Sequence, residues 1–331
     1  MQVRELGESG LKVSAIGLGC MGMSEFYGRA DEAAGVHTIR RAIDHGITLI
    51  DTAPSFGAPP HGESANERLV GRALHGRRDS VVLATKFGFV RDGNDRVVDN
   101  SPGYIRRSVD ESLGRLGTDH IDLYYLHRRN PDVPIEEVIM TMKDLVRAGK
   151  VRHLGLSEVN AETLRRAHEI HPITALQSEY SLLSRHLEEK ILPTAQELGV
   201  SVVAYAPVGR GLLTGELTTL DGLQPHDLRR LQPRFQDGNL RRNLALVERV
   251  HAVADEVGCT TAQLALAWLL AQDDAIVPIP STTSFHHVEE NAAAVDIVLS
   301  ARQLRELDEA IPPDEVIGDR NTAASLALME L

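Results

Sequence analysis

Cysteine is scarce in this chain. There are two in 331 residues, Cys20 and Cys259, far apart and in no metal-ligand spacing. That argues against a disulfide framework and against a metal site, and it points to a reducing compartment. Basic charge is short too, with 35 Lys and Arg against 47 Asp and Glu, a formal net charge of −12. A surface of that sign is a poor partner for nucleic acid or an anionic membrane, although it leaves room for a local basic pocket holding one phosphate. No run approaches membrane-spanning length, and the opening MQVRELGESG has no apolar signal region, so a cytoplasmic protein with no membrane partner is expected. No low-complexity or Pro/Gly/Ser-rich linker divides the chain, which suggests one domain over residues 1–331.

Alternating strand-like and helix-like segments are present instead. After a hairpin over 3–6 and 11–14, short apolar runs occur at 15–19, 47–51, 81–86, 121–127, 151–157, 175–180, 201–206 and 275–280. Helical periodicity fills 31–45, 65–75, 103–116, 135–148, 161–170, 187–198 and 286–294, and Gly follows several of these segments. Eight such units predict an α/β fold, a (β/α)8 TIM barrel with an N-terminal β-hairpin. Two further helical stretches, 243–257 with 262–272 and 301–310, are expected to pack outside it. The polar stretch 214–238 reads as a long loop on the active-site face.

Three ionisable residues stop three consecutive runs: Asp51 ends ITLID, Lys86 ends VVLATK and His127 ends IDLYYLH. Taken singly, Asp51 is an ordinary cap or turn residue, Lys86 a solvated lysine and His127 a core histidine. Their shared position matters because barrels build active sites at the carboxyl ends of their strands. A lysine held charged by an aspartate can polarise a hydroxyl or a carbonyl, and an imidazole can orient it. Phe56, just past Asp51, is anomalous, since a proton donor would be useful there and a phenyl ring has no proton to give.

Ser157, Gln177 and Tyr205 also fall near strand ends. They could grip a carboxamide and stack a flat ring, or they could fill barrel layers. The stretch IPSTTS (279–284) leads into a helix and can offer backbone N–H groups to a phosphate. Residues 17–22, GLGCMG, fit GxGxxG literally, but no clean helix opens at Gly22, and a tight loop after the first strand is the better reading.

In this order, GLGCMGM (17–23), LIDTA (49–53), Asn66-Glu67 before LVG, ATKFG (84–88), GKVRHLGLS (149–157), QSEYSLL (177–183), AYAPVGRGLLTG (204–215), PIPSTT (278–283) and Glu290-Asn291 resemble the aldo-keto reductase superfamily. The resemblance runs from residue 11 to about 320 and is nearest the bacterial and plant branch that reduces small aldehydes and ketones. It implies a tetrad of Asp, Tyr, Lys and His. Asp51, Lys86 and His127 match it, and Phe56 stands where the tyrosine belongs. Either the proton donor is substituted, or Ser55, His61 or Glu63 supplies it.

The resemblance also implies NADPH, ahead of NADH, and a small-molecule carbonyl substrate; it names no oligomeric partner. Cofactor contacts carried over are Gly22, Met23 and Asp51; Ser157, Glu158 and Gln177 at the nicotinamide amide; and Tyr205 on the ring. Ala206, Pro207, Val208, Gly209, Gly211 and Leu212 would follow the pyrophosphate. Ser281, Thr282, Thr283, Ser284, His287, Glu290 and Asn291 would hold the adenosine end. Relatives usually carry Lys or Arg within 281–287, where this chain has hydroxyls and two histidines. The competing functions are an NADPH-binding redox sensor with little turnover and a non-redox, dehydratase- or isomerase-like barrel using His127 as acid.

Overall fold

The strands form one parallel sheet that meets itself. In the computed structural model, which describes residues 1–24, 26, 27, 31–57, 62, 64–92, 95–236 and 238–330, the barrel strands are β3 (Leu18–Gly19), β4 (Leu49–Asp51), β5 (Val82–Phe87), β8 (Ile121–Leu126), β9 (Val151–Ser157), β10 (Ala175–Glu179), β11 (Ser201–Tyr205) and β12 (Ile276–Pro278). They pair in that order, every neighbour parallel. The first strand then bonds to the last: the Gly17 and Gly19 N–H groups donate to the Pro278 and Pro280 carbonyls at 2.9 and 3.2 Å, and Gly19 bridges Ser281. Two glycines permit this seam. A Cβ on Gly17 would lie 2.9 Å from Ile279 Cγ2, and one on Gly19 2.9 Å from the Ile279 carbonyl oxygen. The GxGxxG stretch is therefore a closure device followed by a 3-10 turn, Met21–Met23, and not the start of a nucleotide-binding helix.

Alternation along each strand sorts the core into two layers. Leu49, Val82, Ala84, Leu123, Tyr125, Ala175, Val203 and Val277 fill the interior. Leu6 and Val13, from the hairpin β1 (Val3–Leu6) and β2 (Leu11–Ser14), join them beside the first residues of β4, β5 and β10, closing the amino end. The outward residues, such as Tyr124, Leu126, Leu154 and Leu176, pack under α3 (Pro102–Leu116), α4 (Ile135–Arg147), α5 (Ala161–Ile170) and α6 (Ile191–Glu197). Gly117 ends α3 in the left-handed region at φ 66°, its N–H bonding the Leu113 carbonyl. The first two barrel helices are α1 (Glu32–Asp44) and α2 (Ala65–Leu74).

Two expectations change, and one element is new. Of α7 (Asn239–Val257) and α8 (Thr261–Gln272), only the first lies outside the barrel, paired with α10 (Ala301–Ala310). Helix α8 packs on β12 and is buried nearly all round, from Thr261 to Leu269, so it is a barrel crossover. The segment 187–198 is helical only from Ile191. A hairpin, β6 (Phe89–Asp92) with β7 (Asp95–Val98), follows β5 on the active-site side and had no counterpart in the sequence reading. The last barrel helix, α9 (Phe285–Ala293), follows β12, and the chain ends in a tail with a short helix, α11 (Ala323–Leu326).

Candidate active site

Asp51 ends β4, Lys86 is the penultimate residue of β5, and His127 follows β8, so parallel register brings all three to the carboxyl end of the sheet. Lys86 is wholly buried. Its Nζ lies 2.5 Å from Asp51 Oδ1 and donates to the Thr52 carbonyl at 2.9 Å. The other Asp51 oxygen accepts from Gln177 Nε2 at 2.8 Å. Burial pulls the lysine pKa below its ordinary value, and the charge and hydrogen bond of Asp51 oppose that. A buried pair of this kind adds little net stability, but removing one partner typically costs about 3–5 kcal/mol. Cys20, buried beside it, is no nucleophile, because burial pushes its thiol pKa far up.

Phe56 roofs the pair. Its ring centroid is 5.2 Å from Lys86 Nζ, while the Tyr125 ring lies 5.7 Å away beneath. His127 meets Phe56 edge-on at 5.7 Å and Phe89 at 4.9 Å. Ser55 Oγ is 3.4 Å from His127 Nδ1. His61 and Glu63, the other candidate donors, lie outside the described residues. Asn66 and Glu67 brace this end from α2. Asn66 donates to the Cys20 carbonyl at 2.8 Å and to Ser24 Oγ at 2.7 Å, and accepts from Thr52. Glu67 takes Thr85 and Arg115.

A cavity of about 1040 Å³ opens here and runs along the mouth of the barrel. Of the residues singled out from sequence, Gly22, Asp51, Phe56, His127, Ser157, Gln177, Tyr205, Ala206, Pro207, Val208, Gly211, Ser281, Thr282, Thr283, His287, Glu290 and Asn291 line it. Lys86 lies behind Phe56. Met23 and Leu212 are core side chains, and Gly209 is buried against Leu183. Ser284 stands at the N-cap position of α9, outside the lining, with no capping hydrogen bond from its side chain. The Glu158 side chain turns away: its backbone is left-handed at φ 54°, and its carboxylate binds Arg320 at 2.6 and 3.0 Å. Burial opposes that charge, yet Arg320 brings the Glu158 pKa down to about 2.

Further residues line the cavity, and of these Arg128 had no part in the sequence reading. Arg128 and Phe89 join the wall beside His127. Arg210, itself left-handed at φ 57°, bonds Glu179 at 3.0 Å and the Tyr27 hydroxyl at 3.3 Å. Arg229 lies 5.2 Å from the Tyr27 ring centroid, and the Leu228 N–H donates to the Phe26 carbonyl, so the loops after β3 and β11 meet over the cavity. The tail adds Asn321, Ser325, Leu328 and Met329. Arg210 sat inside a quoted motif and Arg128 directly after His127, but adjacency alone does not reveal which way a side chain points. Among the described residues, no group of three or more His, Cys, Asp or Glu is placed to hold a metal, and no helix is long and apolar enough to cross a membrane.

The family model for the Aldo/keto reductase family matches residues 15–312. Probable aldo-keto reductase 1 of Glycine max is 43% identical over 323 residues, covering 97% of this chain and 92% of the relative. Among solved structures, the glycerol dehydrogenase AKR11B4 from Gluconobacter oxydans superposes with a TM-score of 0.84 at 29% identity, over 94% of this chain and 96% of that one. The thermostable aldo-keto reductase Tm1743, solved with the inhibitor epalrestat, gives 0.75 at 29% identity, over 94% of this chain and 100% of that one.

Proposed function

The chain belongs to the aldo/keto reductase family, and from that premise we propose that it reduces an aldehyde or ketone to the alcohol with NADPH, as a single cytoplasmic barrel domain over residues 1–331. The observation carrying this reading is the buried Lys86–Asp51 pair set behind a cavity wall that also holds His127.

The residues present suit a nicotinamide dinucleotide. Ser157 Oγ accepts from Arg128 at 3.1 Å, which leaves its own hydrogen to donate to an amide oxygen. Gln177 spends Nε2 on Asp51, which leaves Oε1 to accept from an amide NH2. Tyr205 offers a ring face on the lining, and hydroxyls at Ser281, Thr282 and Thr283 precede the N-terminus of α9. NADPH bound there supplies the hydride that adds to the carbonyl carbon.

The chain's own part is electrostatic. His127 donates a hydrogen bond to the carbonyl oxygen, and the Lys86 charge, held by Asp51, stabilises the negative charge that develops on it. Protonation of that oxygen is the step this chain handles worst, because Phe56 separates Lys86 from the cavity and has no proton of its own. Turnover is therefore slow. NADPH affinity does not depend on that proton and is expected at a micromolar dissociation constant or tighter, on the order of −8 kcal/mol, ahead of NADH.

Fluorescence titration with both cofactors, followed by aldehyde-dependent loss of NADPH absorbance, tests this. Saturable binding with slow consumption is expected; no saturable binding of either cofactor removes the reading. Phe56 also favours one second reading, a cofactor-occupied barrel that senses redox state. Tight binding with no aldehyde-dependent oxidation distinguishes it.

A further inference from the structure

The cavity wall holds a cation that forms no ion pair among the described residues. Arg128 follows His127 beyond β8, is 8% exposed, and lines the cavity. Its Nη1 donates to the His127 carbonyl at 2.6 Å and to Ser157 Oγ at 3.1 Å. Its Cζ lies 5.8 Å from the Phe89 ring centroid. These contacts fix the guanidinium. Among the described residues, Nε and Nη2 donate to nothing, and no carboxylate pairs with the group. The nearby acids are taken: Glu158 by Arg320 at 2.6 Å, Glu179 by Arg210 at 3.0 Å and Arg234 at 3.7 Å, and Asp51 by Lys86. Arg128, Arg210, Arg234 and Arg320 thus share two carboxylates, and Arg128 is the one left without an ion pair.

The Nε–Nη2 edge of a guanidinium presents two parallel N–H groups, which match the two oxygens of a carboxylate. Removing such a charge from water without a partner is costly, and a ligand carboxylate taken from the cavity completes it. We propose that Arg128 anchors a carboxylate on the substrate, so that this chain prefers oxo acids and aldehyde acids to neutral aldehydes. The proposal rests on the carbonyl-reductase reading and names its substrate class. Arg128 adjoins His127 in sequence, so the acid group and the reacting carbonyl are held from one wall.

The test compares kcat/KM for 4-carboxybenzaldehyde and methyl 4-formylbenzoate in the parent, Arg128→Gln and Arg128→Lys. The parent should favour the acid at least ~10-fold, and Arg128→Gln should cut the acid-to-ester ratio by ~10–100-fold, mostly through KM, the size of a lost charged hydrogen-bond pair. Arg128→Lys keeps charge but loses the fork, and should recover part of the ratio. Calorimetric titration with benzoate, with NADPH present, needs no turnover, so failure of the reductase reading leaves this arm standing. Benzoate should bind the parent and bind Arg128→Gln at least ~10-fold more weakly. Melting curves establish that the variants fold, and Arg128→Lys serves where Arg128→Gln does not. An unchanged acid-to-ester ratio overturns the proposal. So does benzoate binding indifferent to the substitution, or abolished by NADPH, since the fork would then serve the cofactor.

Discussion

The ring of Phe56 stands edge-on to the imidazole of His127, 5.7 Å between centroids at 88°, with Lys86 Nζ 5.2 Å from the same ring centroid. An apolar ring thus occupies the space between a buried ammonium and the cavity. A phenol in the same place would be polarised by that ammonium, and its pKa of about 10 would fall towards the working range.

Phe56→Tyr should therefore raise kcat for an aromatic aldehyde by ~10²–10⁴-fold, the usual worth of a positioned general acid. NADPH affinity should barely move. Steady-state kinetics beside the parent checks this. Equal or lower kcat would instead assign the donor to a neighbour, and loss of activity in Ser55→Ala would identify it as Ser55, 3.4 Å from His127.

Glu158 and Arg320 should make the tail acid-sensitive. The folded pKa of Glu158, about 2, is below its ordinary 4.5. The stabilisation is fully present above about pH 4.5 and is lost as pH falls towards 2, because the unfolded chain binds the proton first. A lowering of that size corresponds to about 3 kcal/mol. Arg320→Gln should lose a comparable amount at neutral pH and show a flatter stability profile across that acid window, as measured by urea unfolding.

The barrel seam should be intolerant of a side chain at Gly19. Gly19→Ala places a Cβ against the Ile279 carbonyl, where backbone must shift, and should destabilise by about 1–3 kcal/mol. Gly114→Ala, on the exposed face of α3 with nothing within 4 Å, should stabilise by about 0.5–1 kcal/mol. Thermal melts of the two variants should move in opposite directions.

His287→Arg should widen the preference for NADPH over NADH. His287 lines the cavity end assigned to the adenosine, with Nδ1 3.3 Å from Thr282 Oγ1. A guanidinium there adds a charge-assisted contact to a 2′-phosphate, and a gain of roughly tenfold in the ratio of dissociation constants is expected. An unchanged ratio would place the 2′-position elsewhere.

Asp51, Lys86 and His127 were legible because the signal is local: an apolar run buried by a parallel sheet ends where a polar side chain begins, and parallel register aligns those ends. The eight strands and most helix stops were legible for the same reason. Two features could not be read that way. Helix α8 is apolar all round, and its composition does not say whether it covers the sheet or lies outside it; packing on β12 decides. Hairpin β6–β7 is legible instead from turn chemistry, since Gly93-Asn94 after Asp92 sits between two Val-bearing runs, a signal the sequence reading passed over.

The sequence by itself determined the barrel and the absence of a phenol at Phe56, since each follows from residue type, order and spacing; that Gly17 and Gly19 close the barrel against Pro278–Ser281 came from the tertiary structure. Only the tertiary structure decided which charges find partners. Glu158 and Arg320 are 162 positions apart, and their pairing turns Glu158 away from the cavity that its motif implied. Arg128 beside His127 carries the same charge as any exposed arginine on paper. Prior engagement of Glu158 and Glu179 leaves it, among the described residues, buried on the cavity wall without an ion pair. Coulombic partnership depends on distance and dielectric, and both are set by packing rather than by position along the chain.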